Sequence, residues 1–394
     1  ERKRMMSRIL FFGIPAHGHI NPTIEVVREL TSRGHEVWYC SFDAFRHKIE
    51  AAGGQFLSCD KYLPPAPADI EKKVGRDFAS LIEMTVDTTL RMEQAVFEML
   101  KRWKPDCIVS DSMCTWGKLF ARKHNIPFVC STTTFAFNRY TARLMKPGIG
   151  EVFRMVAGMP RIHAKMKQLQ EHGYAVSNVQ QLIENDNDTH TIVYTSGEFQ
   201  PMAETFSEKY LFVGPSVADI TVKKGPAQKP LLYISMGTVL NKNDTFYRNC
   251  IKAFSGCEID VILSVGEKTK ISALGKIPSH IMVRSSVNQL EILQRADVFL
   301  AHCGMNSVNE SIYYGVPMVL FPQHSEEGLV AMRAEQIGTG LRLKSIRPSR
   351  LRKAVFKVLE TEAYRQNAQR MSHTFHNAGG APKAADMIEK VSGC

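Results

Sequence analysis

Residues 8–34 read RILFFGIPAHGHINPTIEVVRELTSRG, and this stretch decides the fold. Arg8 to Ile14 is an apolar run of strand type. Ile20, Ile24, Val27 and Leu30 then recur at helical spacing, and Gly34 stops the helix. Between the two lies a turn of small residues around His17 and His19, and Pro22 suits a first helical turn. A buried strand passing through a tight turn into an amphipathic helix is how a parallel βαβ unit begins.

The rhythm continues outward. Glu36 to Ser41 and Gln55 to Cys59 read as strands, with a short helix at Ala44 to Ala52 between them. Residues 61–75, with three prolines, read as a loop. A long helix is expected from Arg76 to Trp103, and Asp106 to Ser110 as a buried strand. Residues 135–190 are less regular, and Thr191 to Thr195 and Tyr210 to Val213 read as two further strands. Ser216 to Pro230 is polar and broken by Pro and Gly, as a linker would be. The rhythm then restarts, with strands expected at Leu231 to Ser235, Asp260 to Val265, His280 to Arg284, Val298 to Ala301 and Pro317 to Phe321. Ala384 to Val391 forms a last helix. The expected architecture is α/β: two doubly wound domains with a cleft between them, and ligands at the C-terminal ends of the strands.

Composition agrees. The chain has 394 residues, 44% hydrophobic and 23% charged, which suits two globular domains. Disordered tails, collagen-like fibres and disulfide mini-scaffolds are excluded. No apolar run reaches the length of a spanning helix. Glu1 to Arg4 and the short apolar run after them lack a cleavage pattern, so a cytoplasmic location is expected. The nine cysteines contain no CxxC pair and read as reduced core thiols. The formal charge of +11 is dispersed, with no aromatic–basic interleaving. It argues against nucleic acid as partner and for no more than weak peripheral membrane contact.

Five clusters carry chemistry. His17 stands at the tip of the first strand, where a histidine can act as general base near neutral pH. Asp111 ends another buried strand. It is placed either to cap the next helix or to hold the far nitrogen of His17. His302-Cys-Gly304-Met-Asn306-Ser307-Val-Asn-Glu310 opens a helix after a strand, which suits an anion, with Glu310 placed for ribose hydroxyls. Ser235-Met-Gly237-Thr238 is a small-residue turn. Glu326 and Glu327 follow a strand, where they suit either sugar hydroxyls or a helix dipole. No His or carboxylate spacing suggests a metal.

Together these clusters resemble the family 1, UDP-dependent glycosyltransferases of GT-B fold, in the bacterial macrolide-glycosyltransferase branch. The resemblance runs from Ile9 to about Ile388 and is most specific at His302 to Glu310. It implies an acceptor domain over 1–215, a linker at 216–230, a nucleotide-sugar domain over 231–375, and a C-terminal segment, 376–394, packing back on the first domain. It implies an inverting transfer of a sugar, glucose first, from a UDP-sugar co-substrate to a hydroxyl of a lipophilic phenol, polyketide or macrolide. No cofactor or metal is required. His17 would be the base and Asp111 its orienting partner. His302, Asn306 and Ser307 would hold the diphosphate, with Thr238 nearby, Glu310 would hold the ribose, and Gln289 would contact the base; Ser235, Gly237, Ser286, Val287 and Gly304 would also belong to the donor site. Glu326 and Glu327 would meet the sugar. Met84, Met113, Thr134, Phe135 and Phe137 would line the acceptor pocket. Two positions depart from the family pattern: Ser286 stands where an aromatic residue is usual, and Glu327 where Gln is common. Both bear on whether the donor is a UDP- or a dTDP-sugar. A catalytically silent binding protein would be expected to lose these clusters, and a UDP-sugar 2-epimerase has no need of an acceptor-side His–Asp pair.

Overall fold

The computed structural model describes residues 6–63, 78–144, 149–183, 187–217, 229–237 and 243–394. The chain forms two compact units, 1–216 with 379–394, and 217–378. The expected loop at 61–75 and linker at 216–230 lie mostly outside the described residues, as do residues 1–5.

Unit 1 runs β1 (Arg8–Phe12), α1 (His17–Ser32), β2 (Glu36–Ser41), α2 (Arg46–Ala51), β3 (Gln55–Ser58), α3 (Phe78–Trp103), β4 (Cys107–Asp111), α4 (Thr115–His124), β5 (Phe128–Thr132), α5 (Ile149–Glu171), α6 (Val179–Ile183), β6 (His190–Val193) and β7 (Tyr210–Phe212). Its sheet is parallel, in the order β3-β2-β1-β4-β5-β6-β7. Ile9 to Phe12 and all of β4 are buried, because helices cover both faces of such a sheet. Ile20, Thr23, Ile24, Val27 and Leu30 form the buried stripe of α1. Asn125, left-handed at φ 53°, closes α4.

Unit 2 runs β8 (Leu231–Ser235), α7 (Asp244–Phe254), β9 (Asp260–Ser264), β10 (Ile281–Arg284), α8 (Gln289–Leu293), β11 (Val298–Ala301), α9 (Met305–Tyr313), β12 (Met318–Leu320), α10 (Ser325–Gln336), β13 (Gly340–Arg342), α11 (Pro348–Glu360) and α12 (Glu362–His376). Its parallel sheet has the order β10-β9-β8-β11-β12-β13. Asn243 caps α7 by accepting from Phe246 N at 3.1 Å. The last helix, α13 (Gly380–Ser392), belongs to unit 1, where it packs on α1.

The position of the chemistry follows from strand order. In each sheet the winding reverses once, between β1 and β4 in unit 1 and between β8 and β11 in unit 2. At such a reversal the loops leaving the two strands diverge and open a crevice at their C-terminal ends. β13 and β5 were not singled out from the sequence. β13 has three residues, too few for a periodic signal.

Candidate functional site

In unit 1 the residues leaving β1 and β4 meet at the reversal. Asp111 is the last residue of β4 and is 4% exposed. Its Oδ2 lies 2.8 Å from His19 Nδ1, and its Oδ1 accepts from Met113 N at 2.8 Å. Thr133 Oγ1, from the loop after β5, lies 3.0 Å from the same His19 nitrogen.

The histidine on Asp111 is therefore His19, which overturns the expected pairing with His17. The reason is helical geometry. The sequence leads one to expect a loop at the strand tip, but α1 begins at His17. At 3.6 residues per turn, side chains two positions apart point about 200° away from each other. With His19 turned to β4, His17 faces α2. Its ring packs edge-on against Phe45, centroids 4.9 Å apart, and burial with nearby Lys48 lowers its pKa. Asp111 is not a helix cap either. The residue before α4 is Cys114, which makes no side-chain cap.

The residues expected on an acceptor wall separate. Met113 is exposed next to Asp111, and Met84, Thr134 and Phe137 are half-buried. Phe135 is corrected to the interior: it is 2% exposed and packs on Phe199 at 5.4 Å.

In unit 2 the second reversal brings Ser235, the last residue of β8, and Gly237, just after it, to His302, after β11. Ser235 is buried, and its Oγ accepts from Gly237 N at 3.3 Å. Thr238 lies outside the described residues. A Cβ on Gly237 or on Gly304 would sit 2.5 Å from His302 Nε2, so only glycine at both positions lets the imidazole lie between them. Cys303 takes the left-handed φ of 72°, at a cost of about 1–3 kcal/mol for a non-glycine residue. That strained turn delivers the chain into α9. Gly304, the residue before α9, carries no side chain that could cap the amides of its first turn. Burial lowers the His302 pKa, and its Nδ1 is buried without a hydrogen-bond partner of ordinary geometry, although the Ser235 backbone beside it favours the charged ring.

Behind the turn, Gln289 organises a polar group. It accepts from Tyr233 Oη at 3.1 Å and donates to Ser307 Oγ at 3.2 Å and to Glu310 Oε2 at 2.6 Å. Gln289, expected against a nucleotide base, is thus bound to the residue expected on the ribose. Ser286 is exposed and Val287 half-buried, while Asn306 is half-buried in the first turn of α9. Glu326 is exposed and Glu327 is 7% exposed. Glu327 faces inward: Oε1 is 3.1 Å from His324 Nε2 and 3.9 Å from His302 Nε2, and Oε2 accepts from Gln323 N at 2.6 Å. Thr133, Tyr233 and His324 were not singled out as site residues. Thr133 stands in a run of three threonines, and nothing in the sequence separates it from its neighbours.

Glu310 supplies a pH prediction. Burial raises its pKa from 4.5 to about 7, against the opposing hydrogen bond from Gln289. A carboxyl whose folded pKa is raised gives its full stability below the unfolded value and loses it as pH rises through the folded value. Glu310→Gln keeps the acceptor for Gln289 without the buried charge. In the absence of nucleotide it is expected to raise the melting temperature by about 2–5 °C near pH 8 and to leave it unchanged near pH 4. A difference that does not vary with pH overturns this account.

Residues 249–392 match a family model described as erythromycin biosynthesis protein CIII-like, C-terminal domain. The chain is 32% identical over 416 residues to the uncharacterized UDP-glucosyltransferase YojK of Bacillus subtilis (strain 168), covering 97% of each chain. It is 33% identical over 389 residues to the NDP-glycosyltransferase YjiC of the same organism, covering 97% of this chain and 96% of the relative. Among solved structures it is similar to CalG4, the calicheamicin glycosyltransferase, with TM-score 0.80, 26% identity and 99% of both chains covered.

Proposed function

We propose a reaction for this chain, which belongs to the macrolide-type branch of the family 1 glycosyltransferases and has their GT-B fold. It is an inverting transfer from a nucleotide-diphosphate sugar to a hydroxyl of a lipophilic acceptor. UDP-glucose is the first donor to test, with dTDP-sugars next. A phenol, polyketide or macrolide is the acceptor class. The observation that carries the reading is the His19–Asp111 pair at the reversal of the first sheet.

A carboxylate only accepts, so Asp111 fixes the hydrogen of His19 on Nδ1 and leaves the Nε2 lone pair to act as base. As the acceptor oxygen attacks the anomeric carbon, its proton passes to Nε2. The carbon–oxygen bond to the diphosphate breaks with its electron pair on the leaving oxygen. One displacement turns an α-linked donor into a β-glycoside. Asp111 then stabilises the imidazolium. The charge gathering on the diphosphate needs donors that are already aimed: the amides of the first turn of α9, with His302, Asn306 and Ser307, are the groups proposed. The unpartnered Nδ1 of His302 and the two-glycine cradle support that assignment. Glu310 and Gln289 would take the ribose once their mutual bond opens. No metal is required by this scheme.

The test is turnover with UDP-glucose and dTDP-glucose against a panel of flavonoids, polyketides and macrolides in EDTA. Product mass and anomeric coupling are read by mass spectrometry and NMR. A β-glycoside formed at an undiminished rate in EDTA is expected. Retention of configuration, or rates restored only by Mg²⁺, would overturn the scheme.

A further inference from the structure

Glu327 places a buried carboxyl group next to the turn proposed to bind an anion. At 7% exposure it has little solvent to screen it, and Oε1 lies 3.9 Å from the His302 ring. An uncompensated carboxylate there would repel a diphosphate. Its surroundings supply the compensation. Oε1 sits 3.1 Å from Nε2 of His324, which stands just before α10, and Oε2 is taken by the Gln323 amide. Both oxygens are thus engaged within unit 2, and the side chain is turned away from the role of binding sugar hydroxyls.

We propose that Glu327 is a positioning residue: it holds a charged His324 and steadies His302 beside the Cys303 turn, and so acts on the donor through these two rings. This rests on the donor-site reading above and deepens it. The hydrogen bond to Glu327 raises the His324 pKa against the opposing effect of burial, while burial lowers that of His302. The other titratable and charged groups around them are Glu326 on α10, the Cys303 thiol, pushed up by burial, and Arg342 of β13. Because the His324 pKa is raised, the neutral His324⁺–Glu327⁻ pair holds at low pH and is lost as pH rises through the raised value. From there upward the site presents a bare carboxylate to the diphosphate.

Two measurements test this. The first needs no ligand: imidazole NMR titration of His324, its signal assigned with His324→Gln. In Glu327→Gln its midpoint is expected to fall back towards the ordinary histidine range. The second is calorimetric affinity for UDP-glucose and for the methyl ester of UDP, which lacks the sugar. Neither diphosphate titrates between pH 6 and 8.5. Wild-type affinity for both probes is expected to fall about tenfold across that range as the positive charge on His324 is lost. Glu327→Gln flattens the profile. His324→Gln binds weakly throughout, and adding Glu327→Gln to it restores binding, a non-additivity that a merely structural role would not produce. An unchanged His324 midpoint in Glu327→Gln, or a flat wild-type profile with binding intact, overturns the proposal alone. A pH slope seen with UDP-glucose and absent with the methyl ester also overturns it and returns Glu327 to the sugar. Failure of wild type to bind either probe overturns the donor-site reading instead.

Discussion

His19→Ala is expected to lower kcat by about three orders of magnitude, whereas His17→Ala is expected to stay within about threefold of wild type. The first figure lies within the ~10²–10⁴-fold that a positioned general base contributes. It corresponds to about 4 kcal/mol of barrier at 1.36 kcal/mol per decade. The contrast between the two variants follows from their placement. His19 is held by Asp111 and Thr133, and His17 lies on the other side of α1 against Phe45. Asp111→Asn should cost a comparable factor for a different reason. An amide turned to donate towards Nδ1 favours the tautomer with hydrogen on Nε2, where the base needs its lone pair. UDP-glucose affinity, measured separately by calorimetry, should change little in all three, since the residues proposed to bind the donor belong to unit 2. Steady-state kinetics on the four proteins decide the matter. Loss of activity in His17→Ala with retention in His19→Ala would return the base to the position expected from sequence.

That pair also marks the limit of what the sequence shows. The strands were legible because a parallel sheet covered on both faces demands continuous apolar runs, and β1, β4, β8 and β11 are such runs. The His302–Glu310 cluster was legible because a strand, a glycine turn and a helix start must follow in that order. Which histidine meets Asp111 was not. It depends on where α1 begins, and Ala16 before it carries no capping side chain to mark the boundary. Phe135 failed for another reason: whether an aromatic lines a pocket or fills the core is set by Phe199, some sixty residues away. The direction of the Glu327 carboxylate was equally hidden. The residues that turn it inward, Gln323 and His324, are sequence neighbours, but only the fold of the α10 start aims them at it. Burial by distant partners and the exact start of a helix are tertiary facts that local pattern does not encode.

Glu389→Ala is expected to release α13. Glu389 accepts from Arg33 Nη1 and from His35 Nε2, each at 2.9 Å. Ser7 N donates to His35 Nδ1 at 3.1 Å, so the ring hydrogen sits on Nε2, facing Glu389. The His35 side chain is 1% exposed, and without Glu389 that hydrogen has no solvent to turn to. Arg33 is better insured. It keeps Asp386, Glu29 and the Pro382 carbonyl, at 2.6, 2.8 and 3.1 Å. The cost is therefore that of one orphaned buried donor and one lost charged hydrogen bond, about 3 kcal/mol, rather than that of a stranded cation. By hydrogen exchange this is a loss of about a hundredfold in the protection of residues 380–392, with β4 and β11 unchanged. Glu389→Gln should lose less, since its carbonyl still accepts from His35 while its amide meets Arg33 donor to donor. His19 lies at the opposite end of α1, about 20 Å along the axis at 1.5 Å per residue. Turnover by the folded fraction should therefore stay near wild type while α13 frays. Unchanged protection of α13 in Glu389→Ala would show that its apolar face, through Ala384, Ala385 and Ile388, holds it without the ionic clasp.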